Sequence, residues 1–66
     1  MNNYGEIIRN YRLENDYTQD ELGRLLKVST SAIAMYESCE RVPRDSVKLR
    51  IAELIGKPVG EIFFAK

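Results

Sequence analysis

Thr30, Ser31 and Ala34 project from one side of a short helical stretch, and their types and spacing are the first hint of chemistry in this chain. A hydroxyl offers one proton and two lone pairs, and Ala34 with Met35 beside it adds small apolar contact. The chemistry open to such a face is recognition of a polar edge rather than bond-making, although these residues taken alone also fit an ordinary solvated helix face. The rest of the composition removes the usual routes to catalysis. There is no His, so imidazole acid/base chemistry and a Ser/His/Asp set are both excluded, and no glycine loop is spaced to cradle phosphate. The single Cys39 cannot form an intramolecular disulfide, and one thiolate without histidines does not make a zinc site. The chain is therefore expected to be no enzyme, to need no cofactor or metal, and to bind no small molecule.

The elements that must position this face follow from caps and periodicity. Thr18 followed by Glu21 is a capping box that starts a helix, with Tyr17 just before it as a hydrophobic staple. Leu22, Leu25 and Leu26 then share one face, and Ser29 offers a second N-cap only three residues beyond Leu26. After Ser29, the residues Ala32, Ile33 and Tyr36 share the inward side, leaving Thr30, Ser31 and Ala34 outward. Two helices joined this tightly, at about residues 18–38, form the supersecondary unit that enters a DNA major groove. In that setting base contact becomes the favoured reading of the outer face. Short hydroxyls can bond either kind of base edge, and Ala34 and Met35 suit a thymine methyl.

Around this unit, Tyr4, Ile7, Ile8 and Tyr11 predict a first helix that stops near Asn15 and Asp16. Glu40 to Pro43 reads as a connector, and Asp45 or Ser46 as the cap of a fourth helix with Val47, Ile51, Leu54 and Ile55 inward, ended by Gly56 and Pro58. Val59 to Phe64 allows a short fifth turn that lays Ile62 and Phe63 on the others. Phe63 and Phe64 are adjacent, so both cannot face one core. The expected fold is all-α, a compact five-helix domain occupying residues 1–66.

Sixty-six residues provide one small core, and 44% hydrophobic with 30% charged residues argues a folded, soluble chain. No apolar run approaches a membrane span, and MNNYGEIIRN lacks the pattern of a secretion signal, so a cytoplasmic location is expected. Ten acids balance ten bases. That balance argues against a polyanionic partner, but its distribution does not: between Leu22 and Tyr36 stand Arg24 and Lys27 and no acid, while Glu14, Asp16, Asp20 and Glu21 gather upstream.

The chain resembles the Cro/cI-type helix-turn-helix domains, the lambda-repressor-like fold, over nearly its whole length. The resemblance is carried by Ile8-Arg9-x-x-Arg12, Thr18-Gln19-x-Glu21-Leu22, Val28-Ser29, Ile33, Tyr36-Glu37, Pro43, Ile51-Ala52, Gly56 and Ile62-Phe63. It implies a five-helix fold whose third helix reads bases, as a homodimer on a two-fold symmetric double-stranded DNA operator. Position by position, it implies base contact by Thr30, Ser31 and Ala34, with Met35 at the edge, and phosphate contact by Gln19, Arg41 and Arg44, and Ser29 is expected to join the phosphate set. It also implies a structural ion pair between Arg12 and Glu37. The chain departs from the family at four places: Lys27 stands where Gly is usual in the turn, Ser38-Cys39 replaces Asn-Gly after the third helix, Gly23 replaces Ala, and Asp45 and Lys48 replace apolar residues. The expected function is sequence-specific DNA binding by a transcriptional regulator, a repressor, with Ile62, Phe63 and Phe64 as the dimer interface. The alternative on the same fold is a protein-interaction module, an antitoxin or antirepressor, which the zero net charge favours.

Overall fold

Three helices begin where a short polar side chain accepts an otherwise unpaired backbone N–H. Asn3 accepts from the Glu6 amide at 3.0 Å and opens α1, Tyr4–Glu14. Thr18 accepts from the Glu21 amide at 3.1 Å while Glu21 reaches back to the Thr18 amide at 2.8 Å, and this box opens α2, Gln19–Leu26. Ser29 accepts from the Ala32 amide at 3.0 Å and opens α3, Thr30–Glu37. The computed structural model describes residues 3–64, and among these the remaining elements are α4, Asp45–Ile55, and one π-helical turn, Gly60–Phe64.

The start of α4 departs from expectation. Arg44, not Asp45 or Ser46, holds the N-cap position, in extended backbone and with no side-chain capping bond. Asp45 instead occupies the first turn, where its charge complements the helix dipole. Pro43, just before this helix, is buried and biases Val42 toward extended backbone, so the connector does not continue as helix from α3.

Helix ends are tighter than the sequence pattern suggests. Asp16, Lys27 and Cys39 each take a left-handed backbone conformation, with φ of 59°, 61° and 62°, and each follows the end of a helix. The turn after α2 shows why: with Lys27 left-handed, the Val28 amide folds back onto the Gly23 carbonyl at 2.8 Å, which satisfies the helix end within three residues. Lys27 is where a glycine would be relaxed, so the short turn is kept at a local cost of about 1 kcal/mol.

Ile8, Leu22, Leu26, Ile33, Ile51 and Ile62 are fully buried and knit the helices into one core, with Tyr36, Val47, Ala32 and Ala52 completing it. Leu25 does not join the α2 stripe: it is 48% exposed, because α3 and α4 both lie on the Leu22–Leu26 side. Two glycines permit close backbone approach, one at a helix crossing and one at the turn. A Cβ on Gly5 would meet the Glu37 carbonyl and lie 2.7 Å from the Tyr36 carbonyl, so α1 rests directly on the end of α3. On Gly23 it would lie 2.8 Å from the Val28 carbonyl, which ties the choice of glycine over alanine to the tight turn. At the other end of the chain Ile62 is completely buried, so it has no surface to give to a partner, contrary to its expected place in a dimer interface. Phe63 is half-buried, with its ring centroid 5.4 Å from that of Tyr4, and Phe64 turns outward.

Candidate nucleic-acid interface

The third helix is held at both ends by polar contacts that the short α2–α3 turn makes possible. At its C-terminus Glu37 accepts a two-pronged pair of hydrogen bonds from Arg12, from Nε to Oε2 at 2.6 Å and from Nη2 to Oε1 at 3.2 Å. The Arg12 Nη1 donates to the Tyr17 carbonyl at 3.0 Å, and Gln19 Nε2 donates to Glu37 Oε1 at 3.2 Å. Side-chain exposures of 13% and 6% place the Arg12–Glu37 pair at the edge of the core. The hydrogen bond to Glu37 raises the Arg12 pKa above its ordinary value, against the opposing effect of burial and with help from the Glu37 charge. One network thus joins α1, α2 and α3, and it engages the Gln19 amide that the resemblance assigns to phosphate.

Thr30 and Ser31 stand exposed on the outer side of α3, Met35 lies at the edge of that surface, and Ala34 is half-buried. Thr30 Oγ1 donates to Asp20 Oδ1 at 2.9 Å, and the Asp20 Oδ2 in turn meets Arg24 Nη2 at 3.1 Å. An acid therefore borders this face, which the charge distribution along the sequence does not suggest. The only sequence signal for it is that a short acid in the first turn of α2 lies opposite the N-terminus of α3 once the turn is this short.

Beside the Ser29 cap lies a cleft of about 310 Å³ between the α2–α3 turn, the connector and α4. Lys27, Arg41, Arg44 and Arg50 line it together with Ser29 and Ser46, and among the described residues no acid does. The expected phosphate residues Ser29, Arg41 and Arg44 thus come together, and Lys27 and Arg50 join them. Arg50 Nε donates to the Leu26 carbonyl at 2.9 Å, so α4 clasps the end of α2 and fixes one wall of the cleft. The opposite strand of chain is fixed from α1, where the Tyr4 hydroxyl donates to the Arg41 carbonyl at 3.0 Å. Burial, followed by the nearness of Cys39, raises the Tyr4 pKa above its ordinary value. Arg50 is not evident from sequence because it is remote from the motif; its spacing of three from the buried Val47 is the one clue that it borders the core.

An outward hydroxyl face on the second helix of a tight helical pair, with a cleft of four basic residues meeting it at Ser29, suits recognition of a polyanion, and the comparison with known families says which family the chain falls in. The helix-turn-helix family pattern matches residues 8–62. The chain belongs to the Cro/cI-type helix-turn-helix family. In this helix-turn-helix domain α2 and α3 are the paired helices and Lys27–Ser29 the turn. A protein of Thermococcus gammatolerans described as an HTH-type transcriptional regulatory protein is 35% identical over 57 residues. That alignment takes in 86% of this chain but 18% of the relative, so the chain spans less than a fifth of that protein's length. No solved structure matches the chain. Among the described residues, no helix of this helix-turn-helix domain is long and apolar enough to cross a membrane.

Proposed function

We propose that the chain is a sequence-specific DNA-binding transcriptional regulator that inserts α3 into the major groove of an operator and represses by excluding other proteins from it, in the cytoplasm. Two surfaces that meet at the Ser29 cap carry this reading: the exposed hydroxyls of Thr30 and Ser31 on the outer side of α3, and the cleft of Lys27, Arg41, Arg44 and Arg50, which reaches Ala32 and Tyr36 on the inner side of that helix. Base edges are read by the first, with Ala34 and Met35 against thymine methyls, while phosphates lie along the second. Ser29 sits between them, and its hydroxyl proton is available because its oxygen serves only as acceptor at the cap. The Gln19 contribution is reduced, since its amide already serves Glu37.

A two-fold operator requires two copies. Leu49, Val59 and Phe64 line a hollow of about 330 Å³ together with the charged Asp45 and Lys48, with Leu49 62% and Phe64 63% exposed, and the homodimer contact belongs there. Phe63, half-buried against Tyr4, does not line this hollow, while the Lys48 ammonium lies 5.5 Å from the Phe63 ring centre and 4.9 Å from that of Phe64, a cation–π contact at the edge of the patch. Selection from random duplexes tests the whole reading. Recovery of a palindromic site supports it, and no enrichment at low salt favours a protein-binding module, an antitoxin or antirepressor, on the same fold.

A further inference from the structure

The two exposed hydroxyls on α3 are not equivalent. Thr30 Oγ1 has given its one proton to Asp20 Oδ1 at 2.9 Å, and Asp20 is itself held by Arg24 at 3.1 Å through its second oxygen. A threonine oxygen that has committed its proton retains only lone pairs, and a carboxylate offers only acceptors. The pair therefore presents acceptors alone to anything that approaches the N-terminus of α3. We infer that Asp20 is a positioning residue that makes Thr30 an acceptor-only reader of the major groove, so that the base it faces is adenine or cytosine.

The chemistry of the groove sets that choice. On the contacted strand, adenine N6 and cytosine N4 carry the amino donors that an acceptor can meet, whereas guanine presents O6 and N7 and thymine presents O4. Against those acceptor edges, Thr30 and Asp20 place lone pairs opposite lone pairs with no proton between them. Without Asp20, the Thr30 hydroxyl rotates freely and serves either kind of edge. The specificity of this position is thus written partly on α2, in a residue that need not touch a base. This inference rests on α3 entering the major groove.

The test is selection from random duplexes by the full chain and by Asp20→Ala, Thr30→Val and Thr30→Ser. At one position, the natural chain and Thr30→Ser should favour adenine or cytosine over guanine or thymine by about fivefold or more, the low end of what a mismatched pair costs. Thr30→Val and Asp20→Ala should both lose that ratio at the same position while the other positions keep theirs. Asp20→Ala also removes a negative charge beside the duplex; that charge effect tightens binding to all sequences alike and by itself cannot account for a ratio lost at one position. A merely structural role, fastening α2 to α3, would change affinity for every sequence together and not one base. Guanine or thymine at that position, a ratio unchanged in Asp20→Ala, or no position responding to Thr30→Val overturns the inference and leaves the DNA reading standing. Failure of the natural chain to enrich any sequence overturns the DNA reading itself.

Discussion

Arg12 on α1 grips Glu37 at the end of α3 with two parallel hydrogen bonds, Nε to Oε2 at 2.6 Å and Nη2 to Oε1 at 3.2 Å, across 25 positions of sequence. The planar guanidinium fixes both distance and orientation between the first and third helices, which a single lysine contact would not do. Gln19 adds a third donor to Glu37, so the network sets the angle at which α3 is presented.

Removing either partner alone leaves a charge at the core edge without its counterpart. Arg12→Ala or Glu37→Ala should cost about 3 to 5 kcal/mol, and a matched apolar pair at both positions should recover much of it. Urea unfolding of the four chains in the double-mutant cycle gives the answer. A coupling near zero would contradict the structural role of the pair.

Lys27 offers a substitution with opposite effects on two properties. Glycine adopts φ of 61° without strain, so Lys27→Gly should stabilise the fold by about 1 kcal/mol, raising the melting temperature by about 4 to 8 °C for a domain of this size. The same change removes one of four cations from the cleft, so duplex affinity should fall for all sequences alike. A lower melting temperature would show that Lys27 supports the turn in some way other than its backbone.

The legibility of this fold in its sequence divides along local and non-local lines. Thr18, Glu21 and Ser29 announce their helices because a cap depends on neighbours three residues away. Leu25 misleads because its spacing to Leu22 and Leu26 suits one helix face, and only the placement of α3 and α4 decides that it lies outside. Arg44 hides the start of α4 because it caps without a side-chain bond. The outer face of α3 is visible in the motif, but the cleft draws on positions 27, 41, 44 and 50, from three separate segments, and no period connects them. Asp20 escapes for the same reason: its partner Thr30 belongs to the next helix. Ile62 and Phe64 show the rule at the terminus, where one π-helical turn buries the first and exposes the second.

Phosphate contact predicts a particular salt response. Arg41→Ala and Arg44→Ala should each weaken binding to all duplexes about equally and flatten the salt dependence of affinity by roughly one unit. Fluorescence anisotropy across a salt series measures both. An unchanged slope would remove that arginine from the phosphate set.

The proposed dimer contact is tested by charge placed in its centre. Phe64→Glu and Leu49→Glu should shift the chain toward monomer in sedimentation over a wide concentration range, and should abolish cooperative binding to a full operator while half-site binding persists. Both residues lie outside the core, so the fold should tolerate either change. If the natural chain binds half-sites without cooperativity and sediments as a monomer throughout, the contact on this face is wrong.

If the outer face of α3 and the basic cleft that meets it at Ser29 together form the surface that grips DNA, amide chemical-shift mapping of the labelled chain with its selected duplex tests it most directly. The largest changes should fall on residues 27–35 and on Arg41, Arg44 and Arg50, with Leu49, Val59 and Phe64 responding only if dimerisation accompanies binding. Changes confined to the Leu49–Phe64 face, or spread evenly over the molecule, would contradict it.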